Sequence, residues 1–397
     1  MRIFTKSFTQ QEPLPEAAIE AAVAVMRSGR LHRYNTAEGE IAQTALLERE
    51  FAQWIGLPYC LACASGGYAL HIALRALGLQ PGEPVLCNAW TLSPVPGAIS
   101  NAGGRVVLVE TAPDLTIDCD DLEQAAGESG ARVLMLSHMR GHIGDMDRIA
   151  RLCERLGIRL VEDCAHTMGA TWRGRPSGTF GDVACFSTQT YKHLNSGEGG
   201  LLVTGDAGLM RRAIMLSGSY MFYDRHPAAP DASGYAEIRL DTPNLSGRMD
   251  NLRAAVLRPQ LAALGEACAR WNHLYARLEA GLARLDRVRI IERAAPEGFV
   301  GSSIQFLLPD LDRAAIGRFV ERAGLRGVPV KWFGADAPSG YTSRYDSWRY
   351  VGNRRDLPKT RALMATLCDI RIPLTFDQAD CETIVGVLAE ALAEPGG

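Results

Sequence analysis

The sequence predicts an α/β protein: a large domain built on a mostly parallel sheet covered by helices, then a smaller C-terminal α+β domain. Three observations lead there. From about residue 59 short β-like runs alternate with helix-like segments, as in parallel strands joined by crossover helices. Composition shifts at Tyr223–Thr242, a stretch rich in Pro, Ala, Asp and Gly, after which the strand–helix alternation loosens. A length of 397 residues also suits two units better than one simple core.

Tyr59–Ala64 reads as a strand and Ala69–Leu79 as a helix, with Leu70, Ala73, Leu74 and Leu77 on one face. Pro84–Cys87, Arg105–Val109, Arg132–Ser137 and Ile158–Val161 are the next strands, and Asp145–Leu156 has helical spacing through Ile149, Leu152 and Leu156. Val183–Ser187 and Gly200–Thr204 complete the sheet. Tyr223–Thr242 is expected to be a loop or flap. Met249–Arg270 reads as one long helix interrupted by Pro259, followed by helical Leu274–Leu285, strand Ser303–Leu308 and helical Arg313–Ala323. The expected division is residues 1–250, an N-terminal arm with the large domain, and residues 251–397, the connecting helix with the small one.

Bulk properties exclude several functions. A net charge of −3 and a pI near 6.3 leave no electrostatic footprint for nucleic acid or an anionic membrane. No apolar run is long enough to span a bilayer, and Met1–Gln11 lacks the apolar segment of a secretory leader. Ten scattered cysteines fit a reduced, cytoplasmic setting. Cys60 and Cys63 form a lone C-x-x-C, for which strand packing is a better reading than zinc. The only lysines are Lys6, Lys192, Lys331 and Lys359; every other residue among the 42 basic ones is arginine. That scarcity narrows the search for a catalytic amine.

Open parallel sheets bind ligands beyond the carboxyl ends of their strands, and four motifs fall there. Ser65-Gly66-Gly67 joins a strand to a helix, where glycines admit a ligand and free N–H groups attract phosphate, or simply make a tight turn. Asp163 follows an apolar strand in Glu162-Asp163-Cys164-Ala165-His166. It can pair with a protonated pyridine nitrogen or serve as a helix cap. Ser187 ends another strand and leads to Lys192, whose amine suits Schiff-base chemistry if it is desolvated. Trp90 follows the Pro84–Cys87 strand and can stack on a pyridine ring or fill core.

With these motifs in order, the chain resembles the DegT/DnrJ/EryC1/StrS family of pyridoxal-phosphate (PLP) aminotransferases, which act mostly on keto-sugars and cyclitols. The similarity runs from about Arg27 to Gln260 and more loosely beyond. It includes Phe51-Ala52 with Gly56, Ser65-Gly66 with Ala69-Leu70, His138 with Gly141, and Asp145-Met146-Asp147. It continues through Glu162-Asp163, Gly181-Asp182-Val183, Phe186-Ser187, Lys192, Gly199-Gly200 and Arg248-Met249. The resemblance implies PLP fold type I and a homodimer with active sites shared between subunits. It assigns Lys192 to the Schiff base with the cofactor and Asp163 to its ring nitrogen. His166 falls near the ring hydroxyl, and Ser65, Gly66, Gly67 and Ser187 at the phosphate. A dehydratase branch of the family replaces the lysine with histidine, so Lys192 favours transamination.

Some positions depart from the family pattern. Gly67 stands where threonine is usual, and His193 where asparagine follows the lysine. The ring-stacking aromatic falls at Leu92, two positions after Trp90, and Ser246 replaces an asparagine that reaches the partner's phosphate. Candidate substrate contacts are His32, Tyr34, Tyr220, Tyr223, Arg225 and Lys331. The expected reaction moves an amino group from an amino acid donor, glutamate or glutamine, to a keto-sugar, cyclitol or related carbonyl compound in sugar or secondary-metabolite biosynthesis. Two alternatives remain open here: a PLP enzyme of the same fold catalysing elimination, racemisation, decarboxylation or C–C bond formation, and a PLP-binding regulatory protein without turnover.

Overall fold

The structure is a computed structural model that describes residues 2–221, 223–336, 344–352 and 354–393. Its central sheet has seven strands: β1 (Tyr59–Cys63), β2 (Pro84–Asn88), β3 (Arg105–Val109), β4 (Val133–Ser137), β5 (Arg159–Asp163), β8 (Val183–Ser187) and β9 (Gly200–Thr204). They lie in the order β1-β9-β8-β5-β4-β2-β3. Pairings from β3 through β8 are parallel, and β9 runs antiparallel to both of its neighbours. Alternate residues enter different cores. Leu61, Cys63, Met135, Val161 and Cys185 pack with helices Gly66–Ala76 and Ala207–Leu216. Cys60, Ala62 and Phe186 instead meet helices Gln43–Ile55 and Asn251–Ala262, and Leu134 and Leu160 meet Cys119–Ser129 and Met146–Leu156. A strand buried on both faces needs this continuous apolar run. The same alternation sends Cys60 and Cys63 to opposite faces, so they cannot share a metal.

A second sheet, β10 (Arg289–Ile290), β12 (Ser303–Leu307), β14 (Leu367–Arg371) and β13 (Lys331–Trp332), is antiparallel. Helices Arg313–Leu325 and Gln378–Ala393 pack around it. A small sheet of β6 (Thr171–Trp172), β7 (Arg175–Pro176) and β11 (Glu297–Gly298) joins the two units. The N-terminal arm lies on the C-terminal unit: Phe4 N donates to Arg326 O at 2.8 Å, and Phe4 and Phe8 cluster with Phe376. Helix Asn251–Ala262 packs instead on Glu16–Ser28 and Gln43–Ile55.

Two sequence expectations need correction. Met249–Arg270 is not one helix kinked at Pro259; the break falls at Ala263, between Asn251–Ala262 and Leu264–Leu282. The Ala263 N–H turns to Gln260 O, three residues back, as the chain tightens beyond the proline. Tyr223–Thr242 is no plain loop either, since it contains short helices at Tyr223–Arg225 and Ala232–Gly234 and an α-helix at Tyr235–Asp241. Tyr235, only 1% exposed, stacks on Tyr223 and anchors the segment.

Candidate active site

The carboxyl ends of the parallel strands build the site. Asn88 ends β2, and its side-chain amide brackets the Ser137 backbone, accepting from Ser137 N at 2.9 Å and donating to Ser137 O at 3.0 Å. Ser137 ends β4 in register with Asp163 of β5 and donates its hydroxyl to Asp163 Oδ2 at 2.8 Å. Asp163 Oδ1 accepts from Ala165 N. Both carboxylate oxygens are thus oriented, and the carboxylate faces a cavity of about 830 Å³.

Lys192 projects into the same cavity from the turn between β8 and β9. That turn is laced by Thr188 N to Gly199 O, Thr190 N to Gly197 O and Lys192 N to Gln189 O. The residue is half-buried, and burial pulls its amine down to about 7; Asp163 opposes the shift, while Arg140 and Arg371 add to it. Lys192 Nζ lies 2.9 Å from His166 Nε2. Burial first, then Lys192, Arg140, His193 and Arg371, hold His166 well below the usual histidine range, so the imidazole is neutral.

Helix Gly66–Ala76 opens at the cavity, with Ser65 as N-cap accepting from Tyr68 N at 3.1 Å. It begins at Gly66 rather than Ala69, which places both glycines in its first turn. Their N–H groups are among those that an α-helix leaves without intrahelical partners. Gly66 sits against Ser187, where an added Cβ would come within 2.9 Å of the serine Cβ. Ser65, Gly66, Gly67 and Ser187 all line the cavity. Such a cradle of helix-start N–H groups and hydroxyls fits a phosphate, and Asp163 and Lys192 in the same cavity suit a pyridine nitrogen and an aldehyde.

Of the remaining candidates, Leu92 and Lys331 line the cavity. Trp90 does not: it is fully buried, packed edge-on to His142 and Phe333, a correction to the ring-stacking expectation. Ser246 is exposed beside Gly218. The Tyr34 hydroxyl donates to Ser219 Oγ at 2.7 Å, which joins the His32–Tyr34 segment to the one carrying Tyr220, Tyr223 and Arg225. These five residues lie outside this cavity. Sequence reasoning missed Ser137, Arg140, Asp369 and Arg371. The charged pair Asp369-x-Arg371, set two apart in an otherwise apolar strand, was the available signal.

His138, Glu162 and Cys164 place ligand atoms within 4.8 Å of one another. Glu162 already accepts from Gly178 N, Phe180 N and Gly181 N, and burial drives the Cys164 thiol well above its ordinary range. A protonated thiol and a committed carboxylate make a poor metal site. Among the described residues, no helix is long and apolar enough to cross a membrane.

A mostly parallel sheet of this order, with Asp163 and Lys192 at its carboxyl edge beside the Ser65–Gly67 helix start, is the framework of the PLP fold-type-I class. Residues 14–388 match the DegT/DnrJ/EryC1/StrS aminotransferase family, and the chain belongs to it; the cofactor that membership brings is pyridoxal 5′-phosphate. An L-glutamine:2-deoxy-scyllo-inosose aminotransferase of Streptomyces fradiae is 34% identical over 285 residues, 69% of this chain and 64% of that one. GDP-perosamine synthase of Caulobacter vibrioides is 33% identical over 239 residues, 60% and 61% of the two chains. The matched region is therefore less than two thirds of either relative's length. The crystal structure of 3-amino-5-hydroxybenzoic acid synthase shares the fold, with a TM-score of 0.83 over 98% of this chain and 100% of that one at 23% identity.

Proposed function

We propose that the protein is a PLP-dependent aminotransferase that moves an amino group from an amino acid donor, glutamate or glutamine, to a keto-sugar, cyclitol or related carbonyl compound. The observation that carries this reading is the Lys192 amine, brought to about 7 in the cavity that also holds Asp163 and the Ser65–Gly67 turn. Bound there, pyridoxal phosphate supplies an aldehyde that condenses with amines and a ring that withdraws electrons from the adjacent carbon.

This chain's residues do the rest. Lys192 Nζ would hold the cofactor and, when free, would move the proton at the reacting carbon as base and then acid. Asp163, fixed by Ser137 and the Ala165 N–H, keeps the ring nitrogen protonated. His166 accepts from the amine and orients it. Ser65, Gly66, Gly67 and Ser187 would hold the phosphate, and Leu92 lines the same cavity. The reading includes a homodimer in which Ser246 and the surface carrying His32, Tyr34, Tyr220, Tyr223 and Arg225 serve the partner's cavity. Exposed Leu31, Tyr220, Met221 and Leu245 support an interface there.

The test is absorbance of the PLP-loaded protein on adding L-glutamine or L-glutamate. Transamination converts the visible band of lysine-bound cofactor into the near-ultraviolet band of pyridoxamine phosphate, with a stoichiometric keto acid. A visible band that no amino donor moves would refute it.

A further inference from the structure

One wall of the cavity comes from the second sheet, and its register sets three charged side chains on one face. Lys331 of β13 stands directly across from Asp369 of β14. Arg371 is two residues further along the same strand, hence on the same side. All three line the cavity. Arg140 joins them from the turn after β4: it is 6% exposed, and its Nη2 lies 2.7 Å from Asp369 Oδ2. It also holds a left-handed backbone, φ 55°, a conformation that costs a non-glycine residue about 1 kcal/mol or more and is typically kept where function demands it.

Asp369 is the one buried carboxylate in this group, and it is committed. Oδ2 holds Arg140, and Oδ1 accepts from Gln305 Nε2 at 2.7 Å. Gln305 Oε1 is in turn 2.8 Å from His142 Nε2, so a buried chain from the large domain fixes the acid that fixes Arg140. Lys331 is drawn down to about 8, by burial first and Arg140 next, with Asp369 opposing. Positive charge thus exceeds negative on this wall. The cavity presents more apolar than polar surface, with Phe8, Val95, Met139, Pro329 and Val330 beside the polar Thr9, Gln189, Tyr191 and Glu198. An apolar body ending in an anion suits a lining that is mostly apolar with a cationic wall.

We propose that Arg140, Lys331 and Arg371 form a carboxylate-recognition subsite, and that the carbonyl acceptor is a small acid with an apolar body. The inference rests on the aminotransferase reading and narrows it. In a ping-pong reaction donor and acceptor occupy one site in turn. The cations that receive an amino acid's carboxylate in the first half-reaction therefore face the acceptor in the second, and an acceptor with its own carboxylate satisfies them both times.

Two measurements on the loaded protein test this. First, the pyridoxamine-phosphate form is mixed with 3-oxocyclohexanecarboxylate or with its uncharged methyl ester, and return of the visible band is timed. The acid should react about 10- to 100-fold faster at limiting concentration, the effect of one to two charge-assisted contacts. Arg371→Gln and Lys331→Gln should each erase most of that ratio by slowing the acid alone. Equal rates, or a faster ester, would overturn the proposal. So would a carboxylate preference confined to the donor half-reaction, seen by comparing alanine with isopropylamine.

Second, calorimetry with cyclohexanecarboxylate and cyclohexanecarboxamide needs no turnover. Tighter binding of the acid, lost in Arg371→Gln, supports the subsite even if no amino donor is converted, in which case the aminotransferase reading alone falls. Failure of the acid to bind preferentially counts against the subsite whatever the donors do.

Discussion

Lys192 Nζ and His166 Nε2 are 2.9 Å apart, and neither group is firmly charged at neutral pH. With the amine donating, the imidazole proton must sit on Nδ1. Its depressed pKa keeps the pair from sharing two protons in a space already facing Arg140 and Arg371. An amine that must attack a carbonyl is better served by a neutral acceptor than by a carboxylate, which would hold it protonated.

Replacing Lys192 by alanine should abolish covalent attachment of the cofactor and lower the transamination half-reaction by about 10²–10⁴-fold or more, the usual worth of a positioned proton-transfer group. His166→Phe, which keeps a ring and loses the acceptor, should leave attachment intact and slow the proton step by a smaller factor. Single-turnover absorbance separates the two. A Lys192→Ala protein that still forms the visible band would remove Lys192 from its role.

The amine's depressed pKa gives a pH signature. In the cofactor-free protein, the rate of condensation with pyridoxal phosphate should rise with pH around a midpoint of about 7, where an ordinary lysine would still be protonated. Arg371→Gln removes a charge that lowers the value, so the midpoint should move up. Asp163→Asn removes the charge that raises it, so the midpoint should move down. For stability, the unfolded chain keeps this proton up to its ordinary pKa of 10.5 while the native state sheds it near 7. Unfolding therefore takes up a proton within that window, and this group's contribution favours the fold increasingly as pH rises through it. Rapid-mixing rates across pH 6–9 on the three proteins check the signs.

Much of the site was legible because parallel sheets concentrate chemistry at one edge. Ser65, Asp163, Ser187 and Lys192 each follow or end an apolar run, and lysine scarcity singled out Lys192. What stayed hidden depends on contacts between distant segments. Arg140 reaches the site because Asp369, 229 positions away, comes alongside, and no local pattern announces that pairing. For Trp90 the sequence left stacking and core packing both open, and a bend in the backbone at Ala89–Thr91 decides for the core. The indole thus enters the core with His142 and Phe333, whereas Leu92 stays at the cavity.

Glu162, next to Asp163, has a purely architectural task with a measurable cost. Its buried oxygens accept N–H groups from Gly178, Phe180 and Gly181 and lie 3.1 Å from His138 Nε2. Glu162→Gln puts an amide donor against donors. Stranding one or two of them should destabilise the protein by about 2–4 kcal/mol. Urea denaturation reads the change, and a loss below about 0.5 kcal/mol would show that the loop before β8 finds other partners.

The adjacent glycines of the helix start should respond in opposite ways to substitution. A Cβ on Gly66 would lie 2.9 Å from Ser187 Cβ and 3.2 Å from its Cα, so Gly66→Ala must push the helix away from the strand that carries Ser187. Both walls of the phosphate cradle then move, and cofactor affinity should fall by roughly tenfold or more, with the fold retained. A Cβ on Gly67 meets only Pro94 Cβ at 3.7 Å, an ordinary contact, and Gly67 is not among the glycines with positive φ. Gly67→Thr is therefore tolerated by the backbone and adds a hydroxyl in the helix's first turn, where an anion is already favoured. One added hydrogen bond of about 0.5–1.5 kcal/mol corresponds to roughly two- to tenfold tighter cofactor binding. Equilibrium dialysis of pyridoxal phosphate from both variants decides the matter: weakening in both would mean that the Gly67 side of the turn does not face the phosphate.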